Sequence, residues 1–242
     1  MLEPKRIEQL EYVVNRVFVE ATNTVPKRNW QQFTESELWY HLVSCILGSR
    51  TKYENSQAAA DFLYKNSYLK PPSKSGSFAN YQKKILTALS KPIFAPVKKD
   101  GMLSKYRYPK SKAKQIRVTA EYLYRNSNGL IYILSSSPDE ATVRRKIIDS
   151  CLGVGPKQSS MFLRNIGFNN NVAILDVHVL RYMHMIGLLS RQMESVSRLQ
   201  DYENVEKKLI AYADKQNKDI YFLDYAIWVV MRVYQNQKIA WA

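Results

Sequence analysis

The chain has 242 residues, enough for one large domain or two small lobes with a sizeable core. It carries 36 Lys and Arg against 21 Asp and Glu, a formal net charge of +15, with 45% hydrophobic residues and only eight glycines. Those figures exclude a disordered chain and argue against a turn-rich β fold. They also make a polyanion, nucleic acid first, the natural partner for a surface that otherwise repels itself. No apolar run reaches the roughly 20 residues that span a bilayer. The opening MLEPKRIEQLEYVV contains acids and no signal-peptide pattern, so the expectation is an intracellular protein with no membrane partner. Cys45 and Cys151 are too few for a disulfide framework or a four-cysteine iron–sulfur cluster, and both read as buried small apolar residues.

In chain order, Ile7, Leu10, Val13, Val14, Val17 and Phe18 form one helical stripe over residues 5–22. Thr34 heads T-E-S-E, a capping-box pattern, and Leu38–Gly48 reads as the buried helix behind it. A second helix is predicted for Asn55–Lys65, a loop for 66–80 and a short helix for 81–89. Residues 90–110 hold three prolines and six basic residues among Phe and Tyr, and are expected to be an irregular basic segment that is either solvated or in contact with a strand of nucleic acid. Helix returns over 111–126. Ser137-Pro138-Asp139-Glu140 opens another that runs to about Cys151, and helices are predicted over 177–186, 200–215 and 219–236. No convincing strand run appears, so the fold class is all-α.

The chemistry concentrates in I-I-D-S-C-L-G-V-G-P-K-Q-S-S-M-F-L-R, residues 147–164. It reads helix, tight turn, helix. Gly153 and Gly155 let the chain turn and remove side chains that would hold a phosphate off. The N–H groups opening the second helix then face an anion without reading sequence. The absence of a preceding strand separates this turn from a dinucleotide-binding loop. Lys157 stands at that helix N-terminus, where the dipole disfavours a cation. Such a lysine is either a solvated phosphate contact or a nucleophile eased toward its neutral form. Nineteen residues on, V-A-I-L-D-V-H leads an apolar run into Asp176, an N-cap by pattern; a cap also fixes a carboxylate where a reaction needs it. His178 has no second His or Cys cluster beside it and is a poor metal ligand. Trp39, Trp228 and Trp241 are either core residues or surfaces for stacking a base.

Together, the G-V-G-x-K hairpin and the apolar D-V-H element resemble the helix–hairpin–helix DNA glycosylase superfamily. G-V-G-P-K-Q-S-S-M-F-L-R-N-I-G is most similar to the compact archaeal-type 8-oxoguanine DNA glycosylase/AP lyases, and C-I-L-G-S-R-T-K resembles the L-S-x-Q-T turn of the superfamily. The resemblance implies a two-lobed helical glycosylase fold forming a single unit over 1–242. One lobe covers roughly 30–135, with the hairpin completed by 136–183, and a terminal lobe covers 1–29 plus 184–242. It implies a bifunctional enzyme that excises an oxidised purine such as 8-oxoguanine, with Lys157 forming a Schiff base and Asp176 assisting. Gly153, Val154 and Gly155 would clamp the DNA backbone, with His178, Arg50 and Lys52 as further DNA contacts and Trp228 and Trp241 as candidates for the base pocket. Arg50 stands where relatives carry Gln. The carbonyls of Asp149, Cys151 and Val154 would hold a structural cation, monovalent or calcium. No cofactor is required, the partner is duplex DNA with a damaged or modified base, and a monomer is expected. The same chemistry on another modified base, including one in foreign DNA, and a non-catalytic module that binds damaged DNA are the alternatives.

Overall fold

The computed structural model describes residues 3–92, 94–97 and 101–236. The chain divides into two compact units, Asn29–Phe168 and Met1–Arg28 with Asn169–Ala242. The hairpin belongs to the first, the central unit, and Asp176 to the second, the terminal unit. Among the described residues no helix is long and apolar enough to cross a membrane.

The central unit is built around α2 (Glu35–Gly48). Its start is the capping box expected from the sequence. The Thr34 hydroxyl accepts from the Glu37 N–H at 3.3 Å, and the Glu37 carboxylate accepts from the Thr34 N–H at 2.8 Å. Leu38, Trp39, Leu42, Val43, Cys45, Ile46 and Leu47 are all buried, so the helix is apolar nearly all round and must sit inside. Each such leucine contributes about 1.5–3 kcal/mol by leaving water. Trp39 is therefore a core residue, its indole N–H on the Tyr81 hydroxyl at 3.3 Å, and is not a surface for stacking a base. Around α2 lie α3 (Tyr53–Lys65), α4 (Phe78–Leu89), α5 (Pro109–Glu121), a π-helical turn at Tyr122–Asn126, α6 (Gly129–Ser135), α7 (Glu140–Ser150) and α8 (Pro156–Asn165).

Two pieces depart from the sequence reading. The basic segment holds a short antiparallel ribbon, β1 (Phe94–Val97) with β2 (Leu103–Ser104). Aromatic anchors supply the order that composition hid. Phe94 is buried edge-on to Phe62, and the buried Tyr106 donates its hydroxyl to the Leu47 carbonyl at 2.5 Å. Helix α6 was not expected at all, because its cap comes from far away in sequence. Glu35 accepts from the N–H groups of Leu130 at 2.7 Å and Ile131 at 2.9 Å. Gly129 permits this, since its φ is +88° and a Cβ there would come within 2.8 Å of the Glu35 carboxylate.

The terminal unit packs α1 (Pro4–Thr24), α9 (Val177–Met185), α10 (Leu199–Lys215) and α11 (Ile220–Asn236). Their apolar faces share one core, including Leu10, Val14, Leu180, Met183, Leu209 and Ile227. The four helices fall within a residue or two of the ranges that their periodicity predicts.

Candidate active site

In the central unit, α7 ends at Ser150 and α8 begins at Pro156. Between them Gly153 has φ +82°, a conformation that a side chain resists. A Cβ there would also lie 2.4 Å from the amide end of the Gln115 side chain of α5, which would have to swing aside, so the need for glycine rests on the φ. Gly155 differs. Its φ of −102° is ordinary and a Cβ would meet nothing closer than 3.6 Å, so the sharp turn does not depend on it.

The hairpin amides divide into spent and open. Val154 N–H closes the turn on the Cys151 carbonyl at 3.1 Å and its side chain is buried, so that N–H is already used within the turn. Gly155 N–H faces the Gln158 side-chain oxygen at a long 3.4 Å. The first turn of α8 holds further donors: Pro156 has no N–H, and the first helical bond is Ser159 N–H to the Gly155 carbonyl. The N–H groups of Gly153, Lys157 and Gln158 therefore have no backbone acceptor among the described residues, which suits an anion at a helix N-terminus.

Lys157 is half-buried, one residue after Pro156. Its amine has no hydrogen-bond or ion-pair partner among the described residues. The group that feels its charge is Cys45 on α2. Burial pushes that thiol up to about 12, and Lys157 opposes the shift. Cys45 is thus a neutral thiol beside the lysine. Cys151 is likewise buried and its thiol is pushed up to about 12 by burial. Both cysteines are the buried, unpaired residues expected.

The terminal unit fixes Asp176 by a different route. Residues 172–175 lie in no helix or strand, so their amides need other acceptors. Ala173 N–H donates to Glu206 at 2.9 Å, Ile174 N–H to Asp224 at 2.7 Å, and Leu175 N–H to the Tyr202 hydroxyl at 3.0 Å. Tyr202 in turn donates to the Ala173 carbonyl at 2.8 Å. Glu206, Asp224 and Tyr202 are all buried. Leaving any of these buried groups unpaired would cost about 1–3 kcal/mol, so the clamp holds the segment firmly. At its end, one oxygen of Asp176 accepts both the His178 and Val179 N–H groups, each at 2.9 Å, and caps α9. The second oxygen of the half-buried carboxylate has no partner among the described residues. The cap therefore leaves one oxygen of the carboxylate open.

The clamp was missed in the sequence, though it left a trace. Glu206 falls in the apolar stripe of α10 with Tyr202 and Leu209, and Asp224 falls between buried Leu223 and Ala226 on α11. A carboxylate on a core-facing position needs a partner, and here the partner is backbone.

The other expected contacts fall in both units. Arg50 is exposed with φ +60°, and Lys52 is exposed at the N-cap of α3 without capping it. His178 is half-buried in the first turn of α9. Trp228 is half-buried on α11, against Tyr225 and under the Arg232 guanidinium at 4.9 Å. Trp241 lies outside the described residues. No cluster of three or more His, Cys, Asp or Glu able to hold a metal occurs among the described residues. The carbonyls of Asp149 and Val154 accept from no backbone N–H there, and a set of carbonyl oxygens suits a hard cation.

A family model described as 8-oxoguanine DNA glycosylase matches residues 22–218. The 8-oxoguanine DNA glycosylase/AP lyase of Korarchaeum cryptofilum is 34% identical over 125 residues, 52% of this chain and 57% of the relative. That of Saccharolobus islandicus is 25% identical over 214 residues, 88% of this chain and 91% of the relative. The fold is similar to that of the 8-oxoguanine DNA glycosylase of Thermotoga maritima, with a TM-score of 0.65 and 23% identity over 93% of this chain and 95% of that one. It is equally similar to the Methanocaldococcus jannaschii 8-oxoguanine glycosylase/lyase solved with a 15mer DNA containing 8-oxoguanine, with a TM-score of 0.65 and 19% identity over 96% and 97% of the two chains. With residues 22–218 inside the family model, the chain belongs to the helix–hairpin–helix 8-oxoguanine DNA glycosylase family.

Proposed function

We propose that the protein is a bifunctional DNA glycosylase/AP lyase that removes 8-oxoguanine from duplex DNA. The observation that carries this reading is the unpartnered, half-buried amine of Lys157 at the mouth of the hairpin, in a chain matched by the family model over residues 22–218. The charge of +15 draws the protein to DNA, and the open amides of the hairpin hold a backbone phosphate. The damaged nucleotide is flipped out because its reactive carbon is shielded within the stack.

The Lys157 amine then attacks the sugar C1′, and the bond to the base breaks as the new C–N bond forms. The base leaves with the bonding pair. Asp176 steadies the positive charge that builds on the sugar and assists the lysine through the oxygen not used in the cap. Ring opening gives the imine, which acidifies the neighbouring C–H; loss of that proton expels the 3′ phosphate. His178, Arg50 and Lys52 serve as DNA contacts, and Trp228 and Trp241 are the candidates for the base pocket. A monovalent or calcium ion on the carbonyls of Asp149, Cys151 and Val154 would stiffen the turn electrostatically. The chemistry needs no other cofactor, and the protein acts as a monomer on intracellular DNA.

The test is base release and strand nicking on duplexes that each carry one lesion: 8-oxoguanine opposite each base, oxidised pyrimidines, uracil and an abasic site. Release of 8-oxoguanine with nicking is the expected result. Release of a different base alone would overturn the substrate, and tight binding with neither reaction would overturn the enzyme.

A further inference from the structure

Helix α2 ends at Gly48, so the carbonyl of buried Leu47 lies in its last turn, and among the described residues no backbone N–H reaches it. Its donor comes from 59 residues further along the chain: the hydroxyl of Tyr106, at 2.5 Å. Tyr106 is itself only 3% exposed. A phenol has one proton, and that proton goes to Leu47, so the Thr51 hydroxyl donates to the Tyr106 oxygen at 3.3 Å. Burial pushes the phenol up to about 12, which keeps the proton in place at neutral pH. The two bonds grip the chain on either side of Arg50. Between them Arg50 takes φ +60°, a left-handed conformation that is costly for a residue with a Cβ. Its side chain is exposed and has no ion-pair or hydrogen-bond partner among the described residues, so no contact of the guanidinium holds the backbone there. Strain of this kind persists only where the surroundings over-determine it. At this turn those surroundings include both bonds of Tyr106.

We propose that Tyr106 is a positioning residue for DNA binding: through Leu47 and Thr51 it holds the Arg50 turn in the left-handed conformation that presents the guanidinium to the duplex. The inference rests on the reading that the protein binds DNA with Arg50 as a contact, and adds the support of that contact, which comes from the basic segment. A glycine would take the same φ without strain but has no guanidinium to present. An arginine at this place needs a support from outside the turn, and a buried tyrosine supplies one without touching DNA. Lys105 and Arg107, on either side of Tyr106, are exposed, and they are the rival route from the tyrosine to the duplex.

The test is a double-mutant cycle on duplex affinity, read by fluorescence anisotropy, for the wild type, Tyr106→Phe, Arg50→Met and the pair, with a thermal melt of each. Arg50→Met should weaken binding by about tenfold, the scale of one charged hydrogen bond. Tyr106→Phe should weaken it by roughly fivefold, within the range of couplings between neighbours. In the Arg50→Met background the same change should alter affinity by less than about twofold, because its lever is gone. Tyr106→Phe should lower the melting temperature in both backgrounds, since either way the Leu47 carbonyl loses its donor. Thr51→Val removes one of the two bonds and keeps the side-chain shape; it should repeat the pattern with a smaller loss, and stands in should Tyr106→Phe fail to fold. Equal losses of affinity in both backgrounds would route the effect through Lys105 and Arg107 and overturn the proposal. A lower melting temperature with unchanged affinity would leave the tyrosine as packing alone, and overturns it too. If Arg50→Met binds as the wild type does, the proposal falls, while base release and nicking would keep the proposed function standing. Absence of duplex binding by the wild type would overturn both.

Discussion

The hairpin that carries Lys157 and the segment that carries Asp176 reach ordered backbones by opposite means. The hairpin is local: a glycine at φ +82°, a turn bond from Val154 to Cys151, a proline at the first helical position, all within a few residues. The Asp176 segment is non-local. Its amides are held by Glu206, Asp224 and Tyr202, which lie 27 to 50 residues further along the chain. The difference teaches where each half is vulnerable: the hairpin fails at single backbone positions, and the Asp176 segment fails through side chains far from the chemistry.

Lys157→Gln takes away the only nucleophile proposed, and is expected to abolish strand nicking while leaving duplex affinity within a few-fold of wild type. Nicking assays and anisotropy on one lesion duplex check both halves. Next in size is Asp176→Asn. The amide keeps an oxygen for the cap but loses the carboxylate charge, so kcat should fall by orders of magnitude. The stability loss should stay within the roughly 0.5–2 kcal/mol that a whole cap contributes, read by denaturant melts.

Tyr202→Phe sharpens the comparison most. It leaves the Leu175 N–H and the Ala173 carbonyl unsatisfied in a buried place, each costing about 1–3 kcal/mol. The clamp reading expects kcat to drop with KM nearly unchanged, because Asp176 is loosened while DNA contacts stay. A loss of stability with full kcat in the folded fraction would leave Tyr202 as packing alone. Smallest are the two hairpin glycines, whose ranking is the informative part. Gly153→Ala should destabilise by about 1 kcal/mol or more through its φ, and should weaken duplex binding. Gly155→Ala should change stability by about 0.5 kcal/mol or less. Equal effects at the two positions would mean that the turn does not depend on left-handed geometry at Gly153.

The same contrast explains what was legible in the sequence. Elements set by local rules could be read: the Thr34–Glu37 capping box, Pro156 opening α8, the Asp176 cap and the amphipathic helices of the terminal unit. Elements set by distant partners could not. Helix α6 depends on Glu35 reaching across to its N-terminus, and the ribbon in the basic segment depends on Phe94 and Tyr106 burying themselves against α3 and α2. The local positions of Lys157, after the turn at the start of α8, and of Asp176, at the N-cap of α9, were readable because each sits in a short pattern of its own. The clamp behind Asp176 was not, because a lone Glu or Asp in a helical stripe looks the same on paper whether it faces solvent or the core.

The central claim, that the Lys157 amine is the nucleophile, is tested most directly by borohydride trapping on an 8-oxoguanine duplex, followed by digestion and mass mapping of the modified peptide. A reduced adduct on the peptide containing Lys157 is the predicted result. An adduct mapped to a different lysine, or undiminished trapping by Lys157→Gln, would contradict it.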